Sequence, residues 1–236
     1  EKSELLFLGC GWENLEKEIE ILKEQRKVVH LLLAGSGDIP EQYIILLRKL
    51  VDFFYETSPT MFLPLKITYL PKISSQIQRA KRLFNVSRAK VDYKGSYNYC
   101  YCTKSSHFSF VLDEVIKNDV HLETSSAFDI NIINELYEQG KVGKEQYILC
   151  NGFKRPQYIE NIAELIRSGF TNVIPIIDNI EELDAMNTIV DCPCNVGIRI
   201  ASEEEPMFDF YTSRLGIRYN CIVDFYKEKI ANNPKY

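Results

Sequence analysis

The chain lacks a CxxC pair, a complete GxGxxG, an excess of basic residues, and any apolar run near the ~20 residues that cross a bilayer. Lys and Arg total 28 against 33 Asp and Glu, a formal net charge of −5, so a basic face for nucleic acid is not its theme. Without a spanning run, no membrane partner is expected. No secretory signal pattern is found. Glu1-Lys2-Ser3-Glu4 is charged and has no Met, and a trimmed N-terminus is expected. The seven Cys are odd in number. Cys100/Cys102 and Cys192/Cys194 form CxC pairs. Residues two apart on a strand share a face, so the first pair reads as two small core residues. A zinc site needs a second ligand pair at suitable spacing and none is found, so no residue is assigned to a metal. Reduced cysteines in a cytoplasmic protein are the expectation. No internal repeat and no low-complexity tract occurs.

What is present is a rhythm of short apolar segments and amphipathic ones. The 236 residues, 45% hydrophobic and 12% aromatic, suffice for the core of one large domain or two small ones. From Thr68 onward a helix is expected over residues 74–84, then a polar stretch over 90–96 and a strand from Tyr97 that ends on Lys104. A helix over 107–117 and a strand over 120–123 follow. Thr124-Ser125-Ser126 reads as a helix N-cap cluster. The helix over 127–138 carries Phe128, Ile130, Ile132, Ile133 and Leu136 at roughly helical spacing, and Gly140 ends it. A strand over 147–150 leads to Asn151-Gly152. The next helix starts at Pro156, a favoured first helical residue, and runs to residue 168 before Gly169. A strand over 172–177 reaches Asp178, a helix spans 180–188, and 195–201 is the last clear strand.

Five strands thus follow one another, each with a helix behind it. They are short and apolar, as parallel strands buried on both faces are. Strict βα alternation leaves a doubly wound sheet or a (β/α)8 TIM-type barrel. The strands end at Lys104, Glu123, Asn151, Asp178 and Arg199, and polar residues at C-terminal strand ends are what an active-site mouth requires in either fold. The first 60 residues read differently. Leu5 to Gly11 with an acidic helix over 13–25 looks like one βα unit, and Val28 to Ala34 with Gly35-Ser36-Gly37 looks like a second. Two GxG turns suggest a dinucleotide site, but neither completes the fingerprint. Pro59 and Pro64 mark a boundary around residues 57–64, dividing an N-terminal βα segment, residues 1–60, from residues 61–236.

Lys104 is the most informative residue. An amine at the end of a barrel strand faces the mouth, and a lysine held there can form a Schiff base with a carbonyl cofactor such as pyridoxal phosphate. A surface lysine that happens to follow a strand is the competing reading.

Five motifs in order resemble a known family. They are Tyr99 to Lys104, His121-Leu122-Glu123-Thr124-Ser125-Ser126, Leu149-Cys150-Asn151-Gly152-Phe153-Lys154, Gly197-Ile198-Arg199-Ile200-Ala201, and Ser213-Arg214-Leu215-Gly216. Together they look like the N-terminal half of the pyridoxal-phosphate-dependent basic amino acid decarboxylases of alanine racemase fold type (fold type III). Asn151 to Lys154 and Leu65 to Leu70 look most like the biosynthetic arginine decarboxylases. The resemblance covers residues 65–219. It implies the first five βα units of a barrel, with about three units and a C-terminal β domain outside this chain. It implies decarboxylation of arginine to agmatine in polyamine synthesis, with a small amino acid as substrate and a homodimer or larger homo-oligomer. Lys104 matches the Schiff-base lysine. Glu123 matches the acid at the end of the second strand, close to the cofactor. Arg199 matches the arginine near the pyridine ring. Mg2+ is a further ion known in such enzymes. The ring-stacking histidine, the glycine-rich phosphate loop and the acid paired to the pyridine nitrogen come later in the family's chain.

Each residue also has a plainer reading. Glu123 suits a solvated strand end. Arg199 between Ile198 and Ile200 requires an anion or carboxylate partner, which a structural salt bridge supplies as well as a cofactor. His121 reads as a hydrogen-bonded core residue and His107 as a structural residue in a first helical turn. Glu203-Glu204-Glu205 before Pro206 reads as a solvated loop, and Tyr97, Tyr99 and Tyr101 as packing on one strand face. Function remains open among an arginine decarboxylase, a decarboxylase of ornithine or diaminopimelate, and a non-catalytic relative that binds a partner. A pyridoxal-phosphate carrier protein has about this length too.

Overall fold

The computed structural model describes residues 30–33, 44–45, 48–49, 52, 66–201 and 215–236. The expected strand over 5–11, the acidic helix, both GxG turns, the boundary at 57–64, the Glu203-Glu204-Glu205 run and Ser213-Arg214 lie outside these residues. The chain forms two compact units: one takes residues 1–97 and 109–118, the other 98–108 and 119–236.

In the first unit, β1 (His30–Leu33) pairs in parallel with β2 (Lys66–Tyr69), His30 opposite Lys66. β2 runs straight into α1 (Leu70–Lys90), which is longer at both ends than the apolar spacing predicts. Pro71 is tolerated because the first helical turn has no intrahelical acceptors for its N–H groups. At the other end Arg88 and Lys90 complement the negative pole of the helix dipole. Asp92, at φ 52°, marks the exit. α2 (Ser109–Ile116) buries Phe110, Val111, Leu112 and Val115. Asn118 ties the two helices together: it accepts from Gln78 Nε2 at 3.0 Å and donates to Ser74 Oγ and Glu114 O at 2.8 Å each.

The second unit is a parallel sheet of five strands in the order β3-β4-β5-β6-β7. They are β3 (Cys100–Cys102), β4 (His121–Thr124), β5 (Ile148–Cys150), β6 (Val173–Ile177) and β7 (Gly197–Ile198). Its helices are α3 (Ala127–Glu138), α4 (Pro156–Arg167), α5 (Ile180–Ile189) and α6 (Tyr219–Lys229). Each strand pairs with its sequence neighbour and the order never reverses, whereas a doubly wound sheet has a switch point. With right-handed crossovers, sequential order sends the connecting helices α3, α4 and α5 to one side.

The strands are not buried on both faces as their apolar runs predict. Burial alternates along β4, β5 and β6. The helix-side face buries Leu122, Thr124, Ile148, Cys150, Val173 and Ile177, whereas His121, Glu123, Leu149, Ile174 and Ile176 on the other face stay half-buried. On the helix side Ile159, Ala163, Ile177, Leu183, Met186, Val190, Ile217 and Phe225 form one cluster. The short last strand is extended by a bridge between Ile200 and Ile217, where Gly216, at φ +96°, leaves no room for a Cβ, which would lie 2.7 Å from Ala201 N. Among the described residues no helix is long and apolar enough to cross a membrane.

Gly152 sits where two strand-end turns meet, and a Cβ there would lie 2.0 Å from the Ser125 carbonyl oxygen. Gly140 has a positive φ of +67° but open space around it. Gly152→Ala is therefore expected to destabilise the protein by about 3 kcal/mol, and Gly140→Ala by only about 1 kcal/mol. Denaturant midpoints of the two variants check the order.

Candidate functional site

The register aligns Cys102 with Glu123, Glu123 with Leu149, and Leu149 with Ile174. Alternation along each strand then gives Glu123 the same face as Asn151, two residues beyond Leu149. Asn151 confirms this by donating from Nδ2 to Glu123 Oε1 at 3.0 Å. The same alternation brings Asp178 and Arg199 to one side, where Arg199 Nη1 lies 3.4 Å from Asp178 Oδ1. The C-terminal ends of β4 to β7 thus carry Glu123, Asn151, Asp178 and Arg199 along one edge of the half-buried face.

Lys104 stands one turn beyond its strand rather than on its last residue. β3 stops at Cys102. Ser105 N donates to Cys102 O at 3.1 Å and closes a turn, while Thr103 N and Oγ1 both bond Glu123 O, at 3.0 and 3.1 Å. Thr103 is buried and Lys104, at the corner of the turn, is exposed. Among the described residues its amine has no ion pair or hydrogen bond. His107 precedes α2 instead of starting it and stacks on Phe108. His121 lies at the opposite end of the sheet, where Nδ1 accepts from Tyr147 N at 3.2 Å and the ring meets Tyr147 edge-on, a structural role. Of the tyrosine stripe only Tyr101 falls within β3: Tyr97, ahead of it, stacks on Phe84, and Tyr101 donates to Ser106 O at 3.0 Å.

Beneath the edge lies a buried polar cluster whose partners sequence reasoning did not assign. Lys154 follows Gly152-Phe153 and turns its whole side chain inward, to 0% exposure. Its Nζ donates to Gly152 O at 2.7 Å and to Ile176 O, and lies 3.7 Å from Glu182 Oε2. Glu182 accepts from the main-chain N–H of Lys154 at 2.9 Å and of Asp178 at 3.0 Å. Asn179 caps α5 by accepting from Glu182 N at 2.9 Å. The pattern Asn179-Ile180-Glu181-Glu182 is that of a capping box, and it is the signal that could have singled out Glu182. Here the glutamate reaches past the cap residue to Asp178 and across to the preceding turn. Burial pulls the Lys154 ammonium below its ordinary range, against the opposing pull of Glu182 and Asp178. Thr124 Oγ1 and Tyr158 Oη are 2.8 Å apart beside it. Burial pushes the Cys150 thiol from 9.0 up to about 11, with a hydrogen bond to Thr124 and the charge of Lys154 acting the other way.

Among the described residues no group of three or more His, Cys, Asp or Glu comes together to hold a metal ion. Two buried polar atoms near the strand ends, Ser106 Oγ and Asn151 Oδ1, have no hydrogen-bond partner among the described residues.

No protein-family profile matches the chain. Arginine decarboxylase 1 (chloroplastic) of Arabidopsis thaliana is 22% identical over 169 residues, which is 70% of this chain and 23% of the relative. Arginine decarboxylase 1B (chloroplastic) of Nicotiana tabacum is 23% identical over 172 residues, 70% of this chain and 23% of its own. The crystal structure of the biosynthetic arginine decarboxylase SpeA from Campylobacter jejuni superposes with a TM-score of 0.53 and 20% identity, over 66% of this chain and 26% of that one. The chain resembles the biosynthetic arginine decarboxylases. It spans about a quarter of the length of these relatives. The likeness to the solved enzyme is one of fold, and the parallel sheet of five strands is consistent with a partial barrel.

Removing one partner of a buried ion pair leaves the other charge uncompensated, at a cost of about 3–5 kcal/mol. Lys154→Met and Glu182→Gln are each expected to lose that much, and the double variant less than the sum, read from denaturant midpoints. The raised Cys150 value means that the native state holds its proton where the unfolded chain releases it. That contribution is present below pH 9.0 and lost as pH rises to about 11. At pH 9 the exposed Cys221 is expected to react with a thiol reagent at once, and Cys150 only as fast as the protein unfolds, as mapped by peptide mass.

Proposed function

We propose that this chain forms the first part of a pyridoxal-phosphate-binding (β/α)8 barrel in an arginine decarboxylase, releasing CO2 from arginine to give agmatine. The observation that carries the reading is the shared edge: sequential parallel strands whose C-terminal ends bring Glu123, Asn151, Asp178 and Arg199 to one face, with Lys104 in the turn after the first of them. Active sites of (β/α) barrels are built at that end, and the relatives that this chain resembles are named arginine decarboxylases. The half-buried apolar side chains on the same face, Leu149, Ile174 and Ile176, are the kind that fill a closed barrel's interior.

The residues present suit the reactive end of the cofactor. Lys104 offers a primary amine on an exposed turn with no carboxylate partner among the described residues, which leaves it available to bond an aldehyde carbon. Glu123 supplies a carboxylate held in place by Asn151, and the buried unpartnered Oδ1 of Asn151 is an acceptor suited to a donor outside the described residues. Arg199 supplies a permanent cation at the end of the last strand. When bound, pyridoxal phosphate supplies the electron sink that decarboxylation needs. The chain's own part is to hold that group, orient it by Glu123 and Arg199, and return the Lys104 amine at the end of each turnover.

Borohydride reduction of the protein purified with pyridoxal phosphate is expected to leave a pyridoxyl adduct on Lys104, mapped by peptide mass. Lys104→Ala is expected to abolish the adduct and reduce CO2 release from arginine to background. A colourless protein with no adduct after cofactor addition would refute the reading. CO2 release from ornithine or diaminopimelate but not arginine would correct the substrate alone.

A further inference from the structure

Asp178 is used neither by the resemblance nor by the packing of the sheet. It is the first residue past β6, it is buried, and its main-chain N–H is fixed by Glu182 Oε2 at 3.0 Å. Its side chain is 4% exposed, yet the partner it reaches, Arg199, is 38% exposed. The contact is a single Nη1–Oδ1 approach of 3.4 Å. Exposed ion pairs contribute little to stability, but here one member cannot move. Glu182 grips the backbone of Asp178, and Lys154, buried on the far side, is close enough to feel its charge. The groups therefore form a row, Lys154, Glu182, Asp178 and Arg199, of two cations and two carboxylates, with the first three buried and only the last able to swing. An amide at position 178 would fill the same volume, so the carboxylate is not there for shape. Its distinguishing property is attraction for a guanidinium that emerges beside it from the next strand.

We propose that Asp178, anchored by Glu182, is a positioning residue that holds the Arg199 guanidinium over the C-terminal ends of β6 and β7, so that the cation is presented to a bound pyridine ring instead of to solvent. The cofactor half of this statement rests on the pyridoxal-phosphate reading above. The restraint on Arg199 does not.

The test compares wild type with Asp178→Asn, which keeps the shape and removes the charge, and Asp178→Glu, which keeps the charge. Two readouts are taken. In cofactor-free protein, phenylglyoxal modification of Arg199 is followed by peptide mass. In cofactor-loaded protein, pyridoxal phosphate affinity and the pH midpoint of the visible absorbance band are measured. Asp178→Asn is expected to modify about tenfold faster at Arg199 and to bind cofactor about tenfold more weakly, with a displaced pH midpoint. Asp178→Glu is expected to recover most of each change. An unchanged modification rate in Asp178→Asn overturns the proposal, even if the variant melts at a lower temperature, because a purely structural role predicts just that. Faster modification with unchanged affinity and pH midpoint also overturns it, since Arg199 would then not face the cofactor. If wild type binds no pyridoxal phosphate, the decarboxylase reading fails. The modification rate then decides the restraint by itself: faster in Asp178→Asn supports it, unchanged sinks it.

Discussion

One carboxylate organises the site end of the sheet. Glu182 receives the main-chain N–H groups of Lys154 and Asp178 and faces the Lys154 ammonium. Two successive βα turns are thereby joined through a single side chain. Both N–H groups leave a strand end and would otherwise be buried without acceptors, a cost comparable to a lost hydrogen bond each. Buried charge is justified here by that double service. Lys154 in turn closes on Gly152 O and Ile176 O, the carbonyls that the same two turns leave over. The polar edge above, with Glu123, Asn151, Asp178 and Arg199, can be regular because the turns beneath it are fixed.

The sheet itself is divided by face. On the helix side the alternate residues of β4, β5 and β6 are buried among α3, α4 and α5, in a largely apolar interior that also holds the Thr124–Tyr158 pair, Asp129 and the Lys154–Glu182 pair. On the other side half-buried aliphatic side chains lead up to charged ones at the C-terminal ends. Gly197 belongs to this division. A Cβ at that position would lie 2.4 Å from the Ile176 side chain, so the glycine in β7 makes room for a large residue on the neighbouring strand. An apolar body and a charged rim thus share one face of a sheet whose strands follow in sequential order.

Much of this was legible in the sequence. α3 was readable to the residue, because Ser126 precedes it and Gly140, at φ +67°, follows it, with Lys141 N returning to Leu136 O in the manner of a helix-ending turn. The succession of strands along the chain and their polar ends were readable from apolar runs that stop at polar residues, whereas their order within the sheet was not. Strand ends were overestimated wherever a side chain took over the ladder. Thr103 bonds Glu123 O twice and lets the chain turn, which moved Lys104 off the strand. β2 was missed because Lys66 and Thr68 break its apolar run and it passes into α1 without a loop. The burial of Lys154 was not legible at all. A lysine is ordinarily solvated, and the partners that make its burial tolerable come from 22 and 28 residues further along the chain.

Every strand of the larger sheet after the first hydrogen-bonds the strand just before it in sequence. The loops closed in forming it are therefore all about one βα repeat long, and closure entropy rises only slowly with such lengths. Within these five strands assembly can advance in the direction of synthesis, with each new strand docking on an edge already laid down. The growing edge always has only one unpaired strand, and its successor is the next segment to leave the ribosome.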